Sequence, residues 1–268
     1  MTVGAYAFAI DDWKDMQYPL DLWIKHNHGL FDKISLVFIG NKREIPELPD
    51  NVILTHLEKS DLKGWDIYTK YKQIAQDKLD TDWKLLLDTD EFLDKRIQTE
   101  KLDKSKIYAI KYHHLYGNPD TEILGAYPTY YWRFHYGRKE VIRDGGSIQG
   151  DPMKYFRPHL SFGIRSTIYQ LRRNGIRRLL YEPHIVGEVW HTNTLRDPQV
   201  MKMKWRTQIQ RAIDEGKTPT LSKYDRNITG EGAFSYDDLA KAPFVKLIRV
   251  TPPAQIVEYF GKDKKTWK

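Results

Sequence analysis

The residues with the clearest chemical potential lie in Leu85-Leu86-Leu87-Asp88-Thr89-Asp90-Glu91-Phe92. Three leucines bury a strand, and two carboxylates follow at a spacing of two. Side chains two apart on an extended chain point to the same side, so Asp88 and Asp90 would present their oxygens together. A pair of carboxylates is a hard oxygen site suited to Mg²⁺ or Mn²⁺. Such an ion can bridge a diphosphate and offset the charge that grows on it as it departs. The competing reading is an acidic turn that caps the next segment. A second acidic pair, Asp11–Asp12, follows another apolar run, Val3 to Ile10.

The elements that must position these acids follow from the pattern of apolar residues. Val3 to Ile10 and Ile34 to Gly40 read as buried strands, Val52 to Leu57 as a third strand, and Trp83 to Leu93 as a fourth that runs into acids. Between them, Leu20, Trp23, Ile24, Asn27 and Phe31 fall on one helical face. Ile67, Tyr71, Ile74 and Lys78 recur in a second helical segment, Trp65 to Leu79. The Pro-rich stretch from Asn41 to Asn51 is a loop. Strands alternating with helices predict an α/β fold with a mostly parallel sheet. Ligands of such sheets bind beyond the carboxyl ends of the strands, where both acidic clusters fall. Farther on, Ile107 to Tyr112 and Tyr130 to Tyr136 look like strands, and Asp144 to Pro158 is a Gly-rich loop. A helix begins near Asp197, a good N-cap, with Pro198 as its first residue. With no repeat and no evident linker, one domain is expected over residues 1–268. It would divide into two halves, about 1–95 and about 96–268.

Composition narrows the chemistry. The chain has 268 residues and no cysteine, which excludes disulfides, thiolate metal sites and cysteine nucleophiles. The opening residues lack a basic n-region, and no apolar run approaches the length of a membrane span. A cytoplasmic location is therefore expected. A formal charge of +7 favours polyanionic partners or phosphorylated substrates, although an ordinary basic enzyme carries such a charge equally well.

Trp83 to Leu93, WKLLLDTDEFL, resembles the Asp-x-Asp-Glu-Phe element of family-2-like glycosyltransferases with the GT-A fold. The preceding YTKYKQIAQDKL and the opening strand with DLWIKHNHGLFDKISLVFIG are similar to the start of those enzymes. The likeness covers roughly residues 1 to 95 and resumes near 184, in HIVGEVWHTNTLRDPQVMKMKW. The resemblance implies a GT-A-like, Rossmann-like sheet and transfer of a sugar from a nucleotide-sugar donor, of the UDP-linked type, to an acceptor hydroxyl. It implies a divalent ion, Mn²⁺ or Mg²⁺, held by Asp88 and Asp90 with His191 as a third ligand. Arg196 and Lys204 would contact the diphosphate, and Asp11 or Asp12 and Lys72 the nucleotide. Physical reasoning supports Arg196 independently, because a helix N-terminus favours an anion. The plainer alternatives are a core histidine at 191 and a solvated helix face at Lys72. Inversion requires a general base for the acceptor proton, and Asp144, Asp151 and Glu188 are the candidates. The first two serve equally well as turn residues.

Arg165, Arg172, Arg173, Arg177 and Arg178 crowd together before residue 184. They form either a solvated basic face or a track for a phosphate backbone. The acceptor is accordingly expected to be a glycan or a hydroxymethylated base in DNA. Two further readings stay open: a metal-dependent phosphatase built on Asp-x-Asp, and a nucleic-acid-binding module without catalysis.

Overall fold

The computed structural model describes residues 1–59, 66–125, 127, 129–142, 147–149, 184–204, 207 and 245–261. Its framework is a mixed sheet with helices on both faces. The elements are β1 (Val3–Ile10), α1 (Leu20–Asn27), β2 (Lys33–Ile39), β3 (Val52–Leu57), α2 (Asp66–Lys78), β4 (Trp83–Leu86), β5 (Glu91–Leu93), β6 (Ile107–Tyr116), β7 (Asn118–Leu124), β8 (Tyr130–Tyr136), β9 (Val141–Ile142), β10 (Ser147–Ile148), β11 (Ile185–Thr194), β12 (Lys246–Arg249) and α3 (Ala254–Gly261).

Alternation along β1 explains the layering. Ala5, Ala7 and Ala9 face the cluster that holds Leu20, Trp23 and Ile24 of α1. Tyr6, between them, faces Tyr71, Ala75 and Leu79 at the other face, the first two of them on α2. Small alanines let α1 approach the sheet closely. Fully burying each Leu or Ile of such a face stabilises the fold by about 1.5–3 kcal/mol.

The strand order is β12-β7-β6-β8-β4-β1-β2-β3, with β11 paired to β6 and β5. Strands β4, β1, β2 and β3 are mutually parallel. The chain leaves β1 toward β2 on one side and returns in β4 on the other, so the strand order reverses between β1 and β4. The crevice outside the carboxyl ends at such a reversal is where open α/β sheets bind ligands.

Beyond β4 the parallel pattern gives way. Strand β8 runs antiparallel between β4 and β6, and β7 and β12 extend the sheet antiparallel. An aromatic seam packs this half: Trp83 stacks on Phe134 at 5.1 Å, with Tyr108 and Tyr136 edge-on to it.

The strand expected over Trp83–Leu93 is two strands. Its first part pairs with β1, and a turn closed by the Glu91 amide donating to the Asp88 carbonyl (3.0 Å) then redirects the chain. Strand β5 pairs instead with β11, Glu91 opposite His191. The break lets the chain leave β4 for β11, with Asp90 and Glu91 buried at the crossing. The strand expected at Ile107–Tyr112 continues to Tyr116, because β11 lies beside it as a parallel partner.

Candidate metal centre

Asp88 and Asp90 lie on the turn between β4 and β5, at the carboxyl edge of the parallel strands, and they have different neighbours. Asp88 Oδ1 is 2.6 Å from Lys72 Nζ of α2, and its Oδ2 is 3.5 Å from Arg133 of β8. Burial would raise its pKa, but these two cations outweigh that effect and hold the carboxyl below its ordinary value. Lys72 is buried and extends along the Phe8 ring, so it is no solvated face.

Asp90 is buried and pairs with Arg196, whose Nη2 donates to Oδ2 at 2.5 Å. Lys204 Nζ lies 3.9 Å from the same oxygen, and His191 Nε2 is 3.7 Å from Oδ1. Burial again acts upward, but Arg196, His191 and Lys204 together keep this carboxyl ionised far below the usual range. The helical turn from residue 198 positions the two cations. Asp197 caps it, Oδ1 accepting from the Gln199 amide at 2.6 Å, which sets Arg196 just before the helix and Lys204 within it. Tyr18 lies beneath both, with the Arg196 guanidinium 3.6 Å and Lys204 Nζ 5.1 Å from its ring centre. Gln17, held at φ 51°, accepts from the Asp197 amide at 2.8 Å and ties the β1–α1 loop to this helix start.

Glu91 completes the cluster and was not among the sequence-derived candidates. Its carboxylate is buried and accepts from Arg133 Nη1 at 2.9 and 2.7 Å, from the Tyr112 hydroxyl at 3.1 Å and from the Asp88 amide at 2.8 Å. Burial raises its pKa, and Arg133 offsets that only in part. Asn27 at the end of α1 steadies the strand, its side chain bonding the Glu91 carbonyl and the Leu93 amide.

Asp90, Glu91 and His191 offer one ligand atom each, all within 4.8 Å of one another, and so could hold a metal ion. The fit is sound on two grounds. Two oxygens and one imidazole nitrogen suit Mn²⁺ or Mg²⁺. The 3.7 Å between Asp90 Oδ1 and His191 Nε2 is too long for a good hydrogen bond. It is within the about 4.2 Å that two ligands can span when each lies about 2.1 Å from an ion. Asp88 stands beside this group, turned toward Lys72 and Arg133.

The remaining candidates lie elsewhere. Asp11 sits at the carboxyl edge of β1, its Oδ2 accepting from the Asn41 amide and its Oδ1 2.6 Å from Lys59. It leans on Gly40 (φ +107°), where an added Cβ would come within 2.2 Å of the carboxylate, so only glycine fits there. Asp12 is exposed on the following turn. Asp144, Asp151 and the arginines from Arg165 to Arg178 fall outside the described residues.

Glu188 is on β11, but not with His191. Residues an odd number apart on a strand face opposite ways. Accordingly His191 meets His114, whereas Glu188 bonds His113 Nε2 at 2.7 Å and Lys111 at 3.3 Å. His113 also bonds Glu122 of β7 through Nδ1 at 2.9 Å and stacks on Trp190. This arrangement clamps β7, β6 and β11 together. Burial disfavours the His113 imidazolium, but the bonds to Glu122 and Glu188 outweigh it and raise the pKa. A raised histidine pKa stabilises the fold fully below its unfolded value of about 6.5 and loses that contribution as pH climbs through the folded value. Thermal unfolding of wild type and His113→Gln should therefore differ most below about pH 6.5 and draw together as the pH climbs through the raised folded-state value. An unchanging gap would contradict a charged clamp.

No protein-family model matches this chain, and no curated protein matches it. Among the described residues, no helix is long and apolar enough to cross a membrane.

Proposed function

We propose that this chain is a metal-dependent glycosyltransferase of GT-A-like architecture, moving a sugar from a nucleotide-sugar donor to an acceptor hydroxyl. The observation that carries the reading is the charge arrangement at the carboxyl edge of the parallel strands. Asp88, Asp90 and Glu91 are met by Lys72, Arg133, Arg196 and Lys204. Four cations against three carboxylates leave one positive charge, and a divalent ion at Asp90, Glu91 and His191 would raise it to three. A nucleotide sugar brings about two negative charges on its diphosphate, and the departing nucleoside diphosphate carries about one more. The site is thus balanced toward the product of bond cleavage, which is how charge stabilisation accelerates a transfer.

The ion would supply electrostatic stabilisation of the leaving diphosphate. Arg196 just before the helix and Lys204 within it would hold phosphate oxygens, and free amides at the helix start would add to the attraction. The crevice between β1 and β4 would take the nucleoside, with Phe8, Tyr68 and Lys72 along its wall. Glu188 is engaged by His113 and Lys111 and is not assigned as the acceptor base.

The test is nucleotide release from a panel of nucleotide sugars with Mn²⁺, Mg²⁺ or EDTA, repeated with glycan and with hydroxymethylated DNA. Release that needs a divalent ion and quickens with one acceptor supports the reading. Hydrolysis of p-nitrophenyl phosphate without nucleotide-sugar turnover would point to a phosphatase instead.

A further inference from the structure

His114 lies next to His191 on the neighbouring strand, because β6 and β11 run parallel with the two residues in register. Their Nδ1 atoms are 2.9 Å apart, a hydrogen-bond distance. The His114 ring is buried and lies against Tyr112 (5.8 Å) and Tyr127 (4.9 Å), so its orientation is fixed by packing.

Two facing imidazole nitrogens can share only one proton, and which ring carries it determines what His191 can do. If His114 donates, the neutral His191 has its proton on Nε2, aimed at the Asp90 carboxylate, and has no lone pair to give there. If His191 donates from Nδ1, its Nε2 lone pair faces Asp90 Oδ1 across 3.7 Å and can ligate. We infer that His114 is a positioning residue that accepts a hydrogen bond from His191 Nδ1 and so selects the ligating tautomer of His191. The selection moves a proton between ring nitrogens and neither gains nor loses one overall. Supporting partners of this kind fix ligand orientation and tautomer, and removing them typically lowers metal affinity about 10- to 100-fold. The inference rests on the metal reading of Asp90 and His191.

Substitution at 114 separates the acceptor from the ring. Asn can place its Oδ1 near the position of Nδ1, whereas Phe keeps the packing between the tyrosines and removes the acceptor. Mn²⁺ affinity, read by electron paramagnetic resonance on protein shown to be folded by circular dichroism, should fall about 10- to 100-fold in His114→Phe. It should recover to within a few-fold of wild type in His114→Asn. In wild type loaded with Zn²⁺ as a diamagnetic probe, ¹⁵N imidazole spectra should show His191 carrying its proton on Nδ1. That spectrum does not depend on the variants folding. Wild-type Mn²⁺ affinity in His114→Phe, or a His191 Nδ1 without a proton in the loaded protein, would overturn the inference alone. A wild-type protein with no affinity for Mn²⁺ would overturn the metal reading along with it.

Discussion

Asp90→Asn is expected to lower the proposed nucleotide-sugar turnover by about 10³-fold, the scale expected when a preorganised electrostatic contribution at the leaving group is lost. The substitution keeps the shape of the side chain and removes the charge that Arg196, Lys204 and His191 converge on. It also affects stability. Arg196 is buried, and breaking a buried pair by removing one partner costs about 3–5 kcal/mol. Because the Asp90 pKa is depressed in the folded state, the stability it contributes is full above the ordinary carboxylate value of about 3.9 and fades only in stronger acid. Wild type and variant should therefore differ in melting temperature at pH 7 and draw together as the pH is taken well below 4. Steady-state kinetics at saturating Mn²⁺ with paired melting curves separates the two effects. Wild-type turnover in a folded Asp90→Asn protein would remove Asp90 from the metal centre.

Arg133→Met should be as destabilising as Asp90→Asn or more so. Arg133 lies among Tyr112, Tyr131 and the carboxylates of Asp88 and Glu91, and both it and Glu91 are buried. Methionine fills much of the volume but leaves Glu91 without its cation, with only the Tyr112 hydroxyl and the Asp88 amide still donating. The cost is about 3–5 kcal/mol, or a fall of about 10 °C in melting temperature for a chain of this size. A double change, Arg133→Met with Glu91→Gln, should recover part of the loss, because the uncompensated charge is then gone. Equal melting temperatures for wild type and Arg133→Met would show that the pair is solvated rather than buried.

Much of the first half of the chain could be read from sequence because its elements rest on local patterning. The expected bounds of β1 and β3 match the observed Val3–Ile10 and Val52–Leu57, since short apolar runs between turn residues leave little freedom. The face of α1 with Leu20, Trp23, Ile24 and Asn27 is likewise buried. What local pattern could not supply was long-range pairing. The break between β4 and β5 depends on β11, about a hundred residues later, offering Trp190 and His191 to Phe92 and Glu91. The antiparallel half likewise rests on pairings between separated segments, β4 with β8 and β7 with β12.

Four residues in and around the site were passed over, and each carried a signal. Arg133 is the lone charge in the aromatic strand Tyr130–Tyr136, and arginine is seldom buried without an anion. Glu91 lies between Asp90 and apolar Phe92-Leu93 in a strand buried throughout, which demands a cation partner. His113 and His114 are adjacent in a strand and must face opposite ways. One therefore joins the Glu122–Glu188 clamp and the other reaches His191.

The most direct measurement is a calorimetric titration of UDP into the wild-type protein with and without Mn²⁺, repeated with Asp90→Asn. The account predicts that Mn²⁺ tightens UDP binding at least about tenfold, a coupling of about 1.4 kcal/mol, and that Asp90→Asn abolishes this gain. UDP that binds equally well in EDTA, or an Mn²⁺ effect that survives in Asp90→Asn, would contradict a metal–diphosphate site at Asp90 and His191.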